Sequence, residues 1–131
     1  MTTWPILAAV ALGGAFGSLL RYIVGVWLVQ LWGSGFPWGT LLINLSGCFI
    51  IGLVLGITQT RVIPYSQVVR AFMAVGVLGG YTTFSTFAYD ALTLENEGST
   101  VVSVLYIVAS VAGGLLAAYA GTIISRLGTA A

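Results

Sequence analysis

The segment Gly76–Phe87, GVLGGYTTFSTF, is the part of this sequence whose residue types best suit chemistry. It carries three glycines and four serine or threonine hydroxyls, with no charge, inside a long apolar stretch. Irregular backbone at membrane depth is tolerated only where it is buried in protein or lines an aqueous cavity. The pattern therefore predicts a helix, a break and a second half-helix whose N–H groups are capped by threonine. Carbonyl groups freed at the end of the first half could coordinate a small hard cation.

The residues after this break offer groups that favour an anion. Phe84 and Phe87 lie three positions apart and share one helix face, and the edge of a phenyl ring is weakly positive. Thr83 lies near Phe87, and Ser85 lies on another face. The alternative is structural: the glycine pair allows a tight helix crossing, and the hydroxyls bond back to the preceding turn. Three glycines beside TTFST favour a functional break.

Two further polar residues, Asn44 and Arg21, lie inside apolar stretches. An amide that lacks a partner in hydrocarbon costs several kcal/mol, so Asn44 either bonds a neighbouring helix or lines a pathway, and both interpretations stay open. Arg21 would cost about 2.5–3.5 kcal/mol at a helix centre. A snorkelling anchor is the simpler interpretation; the alternative is a guanidinium that attracts anions to a pore entrance.

The charge pattern narrows the classes of ligand and partner. No acidic residue lies in the middle of an apolar stretch, whereas proton-coupled cation exporters ordinarily need a carboxylate there. Four arginines against three acidic residues give no basic patch for nucleic acid. Histidine is absent and Cys48 is the one cysteine, which excludes a His/Cys metal site and an intrachain disulfide. These residues point to a pathway for a small anion that accepts hydrogen bonds strongly.

The elements that must position these residues are membrane helices. Only 5% of the residues are charged and 59% are hydrophobic, far from the usage of soluble domains. Four apolar stretches, about 4–31, 38–58, 68–92 and 100–127, are each long enough to cross a bilayer, so we expect one all-α membrane domain over residues 1–131. Small residues recur every three or four positions in the first, second and fourth stretches and predict the helix contact faces.

The sequence resembles the CrcB/Fluc family of small bacterial fluoride channels over nearly its whole length. Four stretches carry the resemblance: GGAFGSLLR (Gly13–Arg21), PWGTLLINLSG (Pro37–Gly47), GVLGGYTTFSTF (Gly76–Phe87) and YIVASVAGG (Tyr106–Gly114). It implies an antiparallel, dual-topology homodimer of four-helix subunits in the bacterial inner (cytoplasmic) membrane. It also implies two fluoride pathways, a third helix broken in mid-membrane and a structural sodium ion at the dimer interface.

The resemblance also implies roles for single residues. Asn44 looks like the pore asparagine, Phe84 and Phe87 like the aromatics whose edges face fluoride, and Tyr106 and Ser110 like fourth-helix pathway positions. The carbonyl groups of Gly79 and Thr82 would hold the sodium ion. Thr40, Thr83 and Ser85 are further polar groups of the pathway, and Arg21 is the pore-entrance residue.

The function expected on this resemblance is a passive fluoride-selective channel, not an enzyme, that lets fluoride leave the cytoplasm and lowers its toxicity. Fluoride enters the cell as HF and is trapped as the anion, which the membrane potential then drives out. The alternative is a small multidrug-type cation/proton exporter of four helices, which would need a membrane-embedded glutamate that this sequence lacks. A third interpretation is an assembly subunit that does not transport, for which TTFSTF and Asn44 would be needlessly polar.

Overall fold

The computed structural model describes residues 3–60 and 66–127, and every element in these ranges is helical. The helices are α1 (Trp4–Trp32), α2 (Trp38–Thr60), α3 (Ser66–Arg70), a π-helical segment (Ala71–Leu78), α4 (Gly79–Tyr81), α5 (Phe84–Asn96) and α6 (Thr100–Leu127). Gly33, with φ of 78°, ends α1, and Gly98, with φ of 75°, makes the turn between α5 and α6. Both lie in the left-handed region that glycine adopts without steric cost.

Four spans in the described ranges are long and apolar enough to cross a membrane: Trp4–Trp32, Trp38–Gln59, Gln67–Asn96 and Thr100–Leu127. The predicted fold class, an all-α membrane protein with four spans, is confirmed to that extent. The third span runs to Asn96, beyond the expected end near residue 92, because its helix continues into the polar residues that follow the apolar stretch.

The helices contact each other closely at glycines, which have no side chain to hold the two backbones apart. The helix α1 packs chiefly on the π-helical segment and α4, and α2 packs chiefly on α6. A Cβ atom added at Gly17 would overlap the carbonyl group of Val77, and one added at Gly52 would overlap that of Ala118. Close backbone approach of this kind is what holds helices together in lipid. The small-residue faces predicted from the sequence are therefore confirmed at these two contacts.

The third span is interrupted about half-way along, at two threonines. Thr82 (φ −81°, ψ 158°) and Thr83 (φ −150°, ψ 118°) are both extended, and helical structure resumes at Phe84. On the N-terminal side, the π-helix Ala71–Leu78 is followed by the three α-helical residues of α4 and then by the interruption. Short π-helical segments occur frequently at functional sites. The predicted break is thus present, and it lies at the threonines that follow the glycine pair.

The core of the single chain surrounds Tyr106, which has no exposed surface. Leu41, Ala91 and Leu94 are buried against it, and the Ser103 hydroxyl donates to the carbonyl group of Ala91 at 2.8 Å. This contact joins α5 to α6 and fixes the second half of the interrupted span.

Candidate functional site

The side chain of Asn44 on α2 holds the interrupted backbone of the third span. The N–H group of Thr83 donates to Asn44 Oδ1 at 2.8 Å, and Asn44 Nδ2 donates to the carbonyl group of Thr83 at 3.0 Å. Thr83 is only 8% exposed, so these two main-chain groups would otherwise lack partners in an apolar environment. The two bonds show how an extended residue is tolerated here. Asn44 therefore has a structural role, which leaves a pathway role possible for its second N–H group.

The hydroxyl group of Thr83 caps the second half-helix. It accepts from the N–H group of Thr86 at 3.2 Å and donates to Thr86 Oγ1 at 3.0 Å, and Ser85 Oγ lies 3.3 Å away. A threonine hydroxyl in this position satisfies one of the four N–H groups that every helix N-terminus leaves free. The predicted capping by threonine is confirmed, and Thr83 is the capping residue.

These bonds take N–H groups away from two carbonyl groups of the third span. In a continuous α-helix, the N–H group of Thr83 would donate to the carbonyl group of Gly79, and that of Thr86 would donate to the carbonyl group of Thr82. Here the first donates to Asn44 and the second to the Thr83 side chain. The interruption thus leaves Gly79 and Thr82 with carbonyl oxygens whose helical partners are bonded elsewhere. Oxygen ligands of this kind suit a hard cation.

The helix α2 also contacts the two residues that precede Thr83. The hydroxyl groups of Ser46 and Tyr81 lie 3.1 Å apart and share a hydrogen bond. Gly47 faces the side chain of Thr82, whose hydroxyl group donates to the carbonyl group of Leu78 at 2.8 Å. One short stretch of α2 therefore contacts both residues of the interruption and Tyr81, the last residue of α4.

A groove of about 470 Å³ opens beside the interruption. Its lining is mostly apolar, and Ser110 Oγ is buried there without a hydrogen-bond partner among the described residues. Seven of the residues predicted to form a site line this groove: Asn44, Gly79, Thr82, Thr83, Phe84, Phe87 and Ser110. An apolar wall with a few polar groups is typical of a binding site for a small ligand.

The aromatic rings at the groove form part of a longer series. The centroids of Phe84 and Phe87 lie 5.5 Å apart, Phe87 lies 5.4 Å from Tyr106, and Tyr106 meets the edge of Phe36 at 5.6 Å and 89°. Phe84 is 79% exposed, whereas Tyr106 is completely buried and lines neither the groove nor the second cleft described below. The hydroxyl group of Tyr106 donates to Asp90 Oδ2 at 3.4 Å. In the single chain, Tyr106 lies behind Phe87, so its predicted role in the pathway stays a prediction.

A second cleft, of about 630 Å³, contains the charged residues of this region. Arg21, Thr40 and Asp90 line it together with Thr83 and Thr86. Thr83 lines both the groove and the cleft. The structure thus brings Arg21 and Thr40 together in a different cavity from Asn44 and the phenylalanines.

The remaining predicted residue, Ser85, is exposed and bonds Thr83. Sequence reasoning missed two residues that the structure places at the interruption, Thr86 and Gly47. The signal for Thr86 was its position three residues after the capping threonine, where the side chain of a capping box lies. Gly47 ends the PWGTLLINLSG motif and lies beside the small-residue face of the second stretch, but its contact with Thr82 is visible only in three dimensions.

The part of the chain that contains the groove and the cleft is similar to known proteins. A family model described as "CrcB-like protein, Camphor Resistance (CrcB)" matches residues 8–122. The chain belongs to this family. The match covers every residue that lines the groove and the cleft, including Asn44 and the interruption at Thr82 and Thr83.

Several members of the CrcB family that resemble the chain are named "Fluoride-specific ion channel FluC". The protein of Agrobacterium fabrum is 46% identical over 92% of this chain and 95% of its own length. That of Rhizobium meliloti is 47% identical over 89% of this chain and 93% of its own length, and that of Chloroflexus aurantiacus is 44% identical over 92% and 94%. The resemblance stated from the motifs is confirmed.

Proposed function

We propose that this chain forms a passive, fluoride-selective channel that lets fluoride leave the bacterial cytoplasm. The observation that carries the proposal is the interrupted third span, whose polar and aromatic groups line a groove in an otherwise apolar protein. The names of its relatives in the CrcB family support fluoride as the ion. A channel requires no reaction on its substrate, so no enzymatic activity is proposed.

The groove supplies hydrogen-bond donors in place of water around a small, strongly hydrated anion. An amide nitrogen carries two N–H groups, and Asn44 uses one of them on Thr83, which leaves the other for an anion. Ser110 supplies a hydroxyl group that has no other partner among the described residues. Phe84 and Phe87 supply weakly positive ring edges. Larger halides accept hydrogen bonds less strongly, which favours fluoride over chloride.

The lining of the groove also supports passive transport. It contains no Asp, Glu, Lys or Arg side chain, so it lacks the carboxylate that proton-coupled exporters use to exchange protons for substrate. Arg21 lines the separate cleft, where its positive charge would raise the local concentration of anions. We propose this cleft as the entrance to the pathway, with Thr40 and Thr83 on its wall.

A second copy of the chain, in the antiparallel orientation, is the partner we propose for the open side of the groove. Phe84 is 79% exposed and Gly79 is also exposed in the single chain. Exposed polar backbone is not tolerated against lipid, so this side requires protein to cover it. A closed twofold dimer would bury the same surface on both subunits. To form it, the chain would insert into the inner membrane in both orientations.

The carbonyl groups of Gly79 and Thr82 fit the structural sodium ion that we propose at this interface. Both have lost their helical N–H partners, and both residues line the groove. Two such oxygens from each subunit would give four hard ligands around a monovalent cation. A bound sodium ion would supply positive charge that holds the two interruptions together.

Fluoride efflux from liposomes tests the proposed function. Purified protein in vesicles loaded with potassium fluoride should release fluoride when valinomycin allows potassium to leave, and should release chloride far more slowly. Comparable release of the two anions would contradict selectivity. Proton-coupled efflux of an aromatic cation, with no fluoride release, would favour the multidrug-type exporter instead.

A further inference from the structure

Gly47 on α2 lies against the methyl group of Thr82. A Cβ atom added at Gly47 would overlap Thr82 Cγ2 and would lie 3.5 Å from Tyr81 Cδ1. The glycine is therefore required by contact with the interruption, and not by the conformation of α2, which is helical here.

The methyl group of Thr82 is not free to turn away. The Thr82 hydroxyl donates to the carbonyl group of Leu78 at 2.8 Å, which fixes the side chain in one rotamer. The next residue, Thr83, is fixed by its two main-chain bonds to Asn44. A side chain at position 47 would therefore displace the backbone of Thr82, or break the bond to Leu78.

We propose that Gly47 is a positioning residue for the cation site: the missing side chain sets the place of the Thr82 carbonyl group. This inference rests on the sodium ion proposed above. Groups that orient metal ligands without touching the metal change metal affinity by about 10- to 100-fold. Gly47→Ala should therefore weaken sodium binding by about 10- to 100-fold.

A compensating substitution and a matched control are both available in the chain. Thr82→Ser removes the methyl group and retains the hydroxyl that bonds Leu78, so Gly47→Ala with Thr82→Ser should bind sodium as Thr82→Ser alone does. Gly56, on the same helix, meets the hydroxyl of Ser125, which is itself fixed by a bond to the carbonyl group of Thr122 at 2.6 Å. Gly56→Ala reproduces the steric conflict far from the interruption.

The experiment measures the unfolding temperature of the purified full-length protein against sodium concentration, with N-methylglucamine as the replacing cation. A ligand that binds only the folded protein raises its stability as its concentration passes the dissociation constant. Gly47→Ala should shift this curve to higher sodium, the double variant should restore it, and Gly56→Ala should lower the unfolding temperature at all sodium concentrations without a shift. Fluoride efflux at the same sodium concentrations provides the second readout.

Several results would overturn the inference. An unshifted curve for Gly47→Ala, or an equal shift for Gly56→Ala, contradicts a positioning role. If Gly47→Ala does not fold, the double variant decides, because it must fold and bind sodium as Thr82→Ser does. If the wild-type protein transports fluoride but gains no stability from sodium, the proposed cation site is refuted, and the inference about Gly47 fails with it. If the wild-type protein is stabilised by sodium but releases no fluoride, the proposed channel function is refuted. The inference about Gly47 is then decided by the curves of unfolding temperature against sodium concentration.

Discussion

Replacing Asn44 with alanine should both destabilise the protein and abolish fluoride transport. The substitution removes the partners of two main-chain groups of Thr83, a residue that is only 8% exposed. A buried polar group left without a partner costs about 1–3 kcal/mol, so the two together cost about 2–6 kcal/mol before relaxation. Even the lower value should reduce the unfolding temperature by about 5 °C or more in a chain of this size. Transport should fail because the interruption loses its support.

The assay for Asn44→Ala combines thermal unfolding in detergent with fluoride efflux from liposomes. Ser46→Ala is a suitable control, because it removes two side-chain bonds from the same helix, to the Tyr81 hydroxyl and to the Ile43 carbonyl group, and leaves both main-chain groups of Thr83 bonded to Asn44. It should cost about 1–2 kcal/mol. If Asn44→Ala unfolds within a degree of the wild type, the amide does not support the interruption and the reasoning fails.

Asn44→Asp separates the support of the backbone from the anion pathway. Aspartate keeps the acceptor for the N–H group of Thr83, loses the donor to its carbonyl group, and places a negative charge beside the groove. Fluoride efflux should be blocked in protein that still folds. Normal efflux by folded Asn44→Asp would show that the Asn44 side chain does not contact the ion.

Three further substitutions test other parts of the site. Phe84→Ile keeps an apolar side chain and removes the positive ring edge, so fluoride efflux should fall about tenfold, equivalent to about 1.4 kcal/mol, with the oligomeric state unchanged; undiminished efflux would remove the aromatic role. Gly17→Ala should destabilise the fold by about 1–3 kcal/mol, because its Cβ overlaps a carbonyl group of the π-helical segment. Gly14→Ala is the control, because a Cβ at Gly14 meets nothing within 4 Å; equal unfolding temperatures for the two variants would contradict the packing argument. Tyr106→Phe removes a 3.4 Å bond to Asp90 in the core and should cost about 1 kcal/mol. If Tyr106 has its predicted role in the pathway, efflux should fall by more than this loss of stability explains; unchanged efflux would contradict that role.

The sequence was sufficient to predict features that depend on neighbours along the chain. Glycines followed by threonines predicted the interruption, because the first weaken a helix and the second cap one. The spacing of Phe84 and Phe87 predicted a pair of rings on one face, and their centroids lie 5.5 Å apart. The end predicted for the third span, near residue 92, was less accurate. Hydropathy marks the edge of the hydrocarbon, whereas the helix continues to Asn96.

Features that depend on contacts between distant residues could not be predicted from the sequence alone. Asn44 and Thr83 are separated by 39 positions, so the sequence left the structural and functional interpretations of the amide open. The π-helical segment gave no signal, since AFMAVGVL is apolar throughout. Its close approach to α1, where Gly76 meets Gly13, is visible only in the structure. The burial of Tyr106 was hidden for the same reason: its neighbours come from other helices.

The bonds that create the interruption also connect the proposed cation site to the proposed anion pathway. Each N–H group that Asn44 and the Thr83 hydroxyl withdraw from the helix leaves a carbonyl oxygen, on Gly79 or Thr82, at the same groove that Phe84 and Phe87 line. Without a cation, these oxygens would repel an anion in a medium of low dielectric constant, where charge interactions are strong. A sodium ion bound at the proposed site would reverse the sign of that local field. Removing sodium should therefore reduce fluoride transport even in protein that stays assembled. Measuring fluoride efflux and the oligomeric state in the same sodium-free sample tests this. Full efflux from an intact assembly without sodium would show that the ion holds the subunits together and does nothing for the anion.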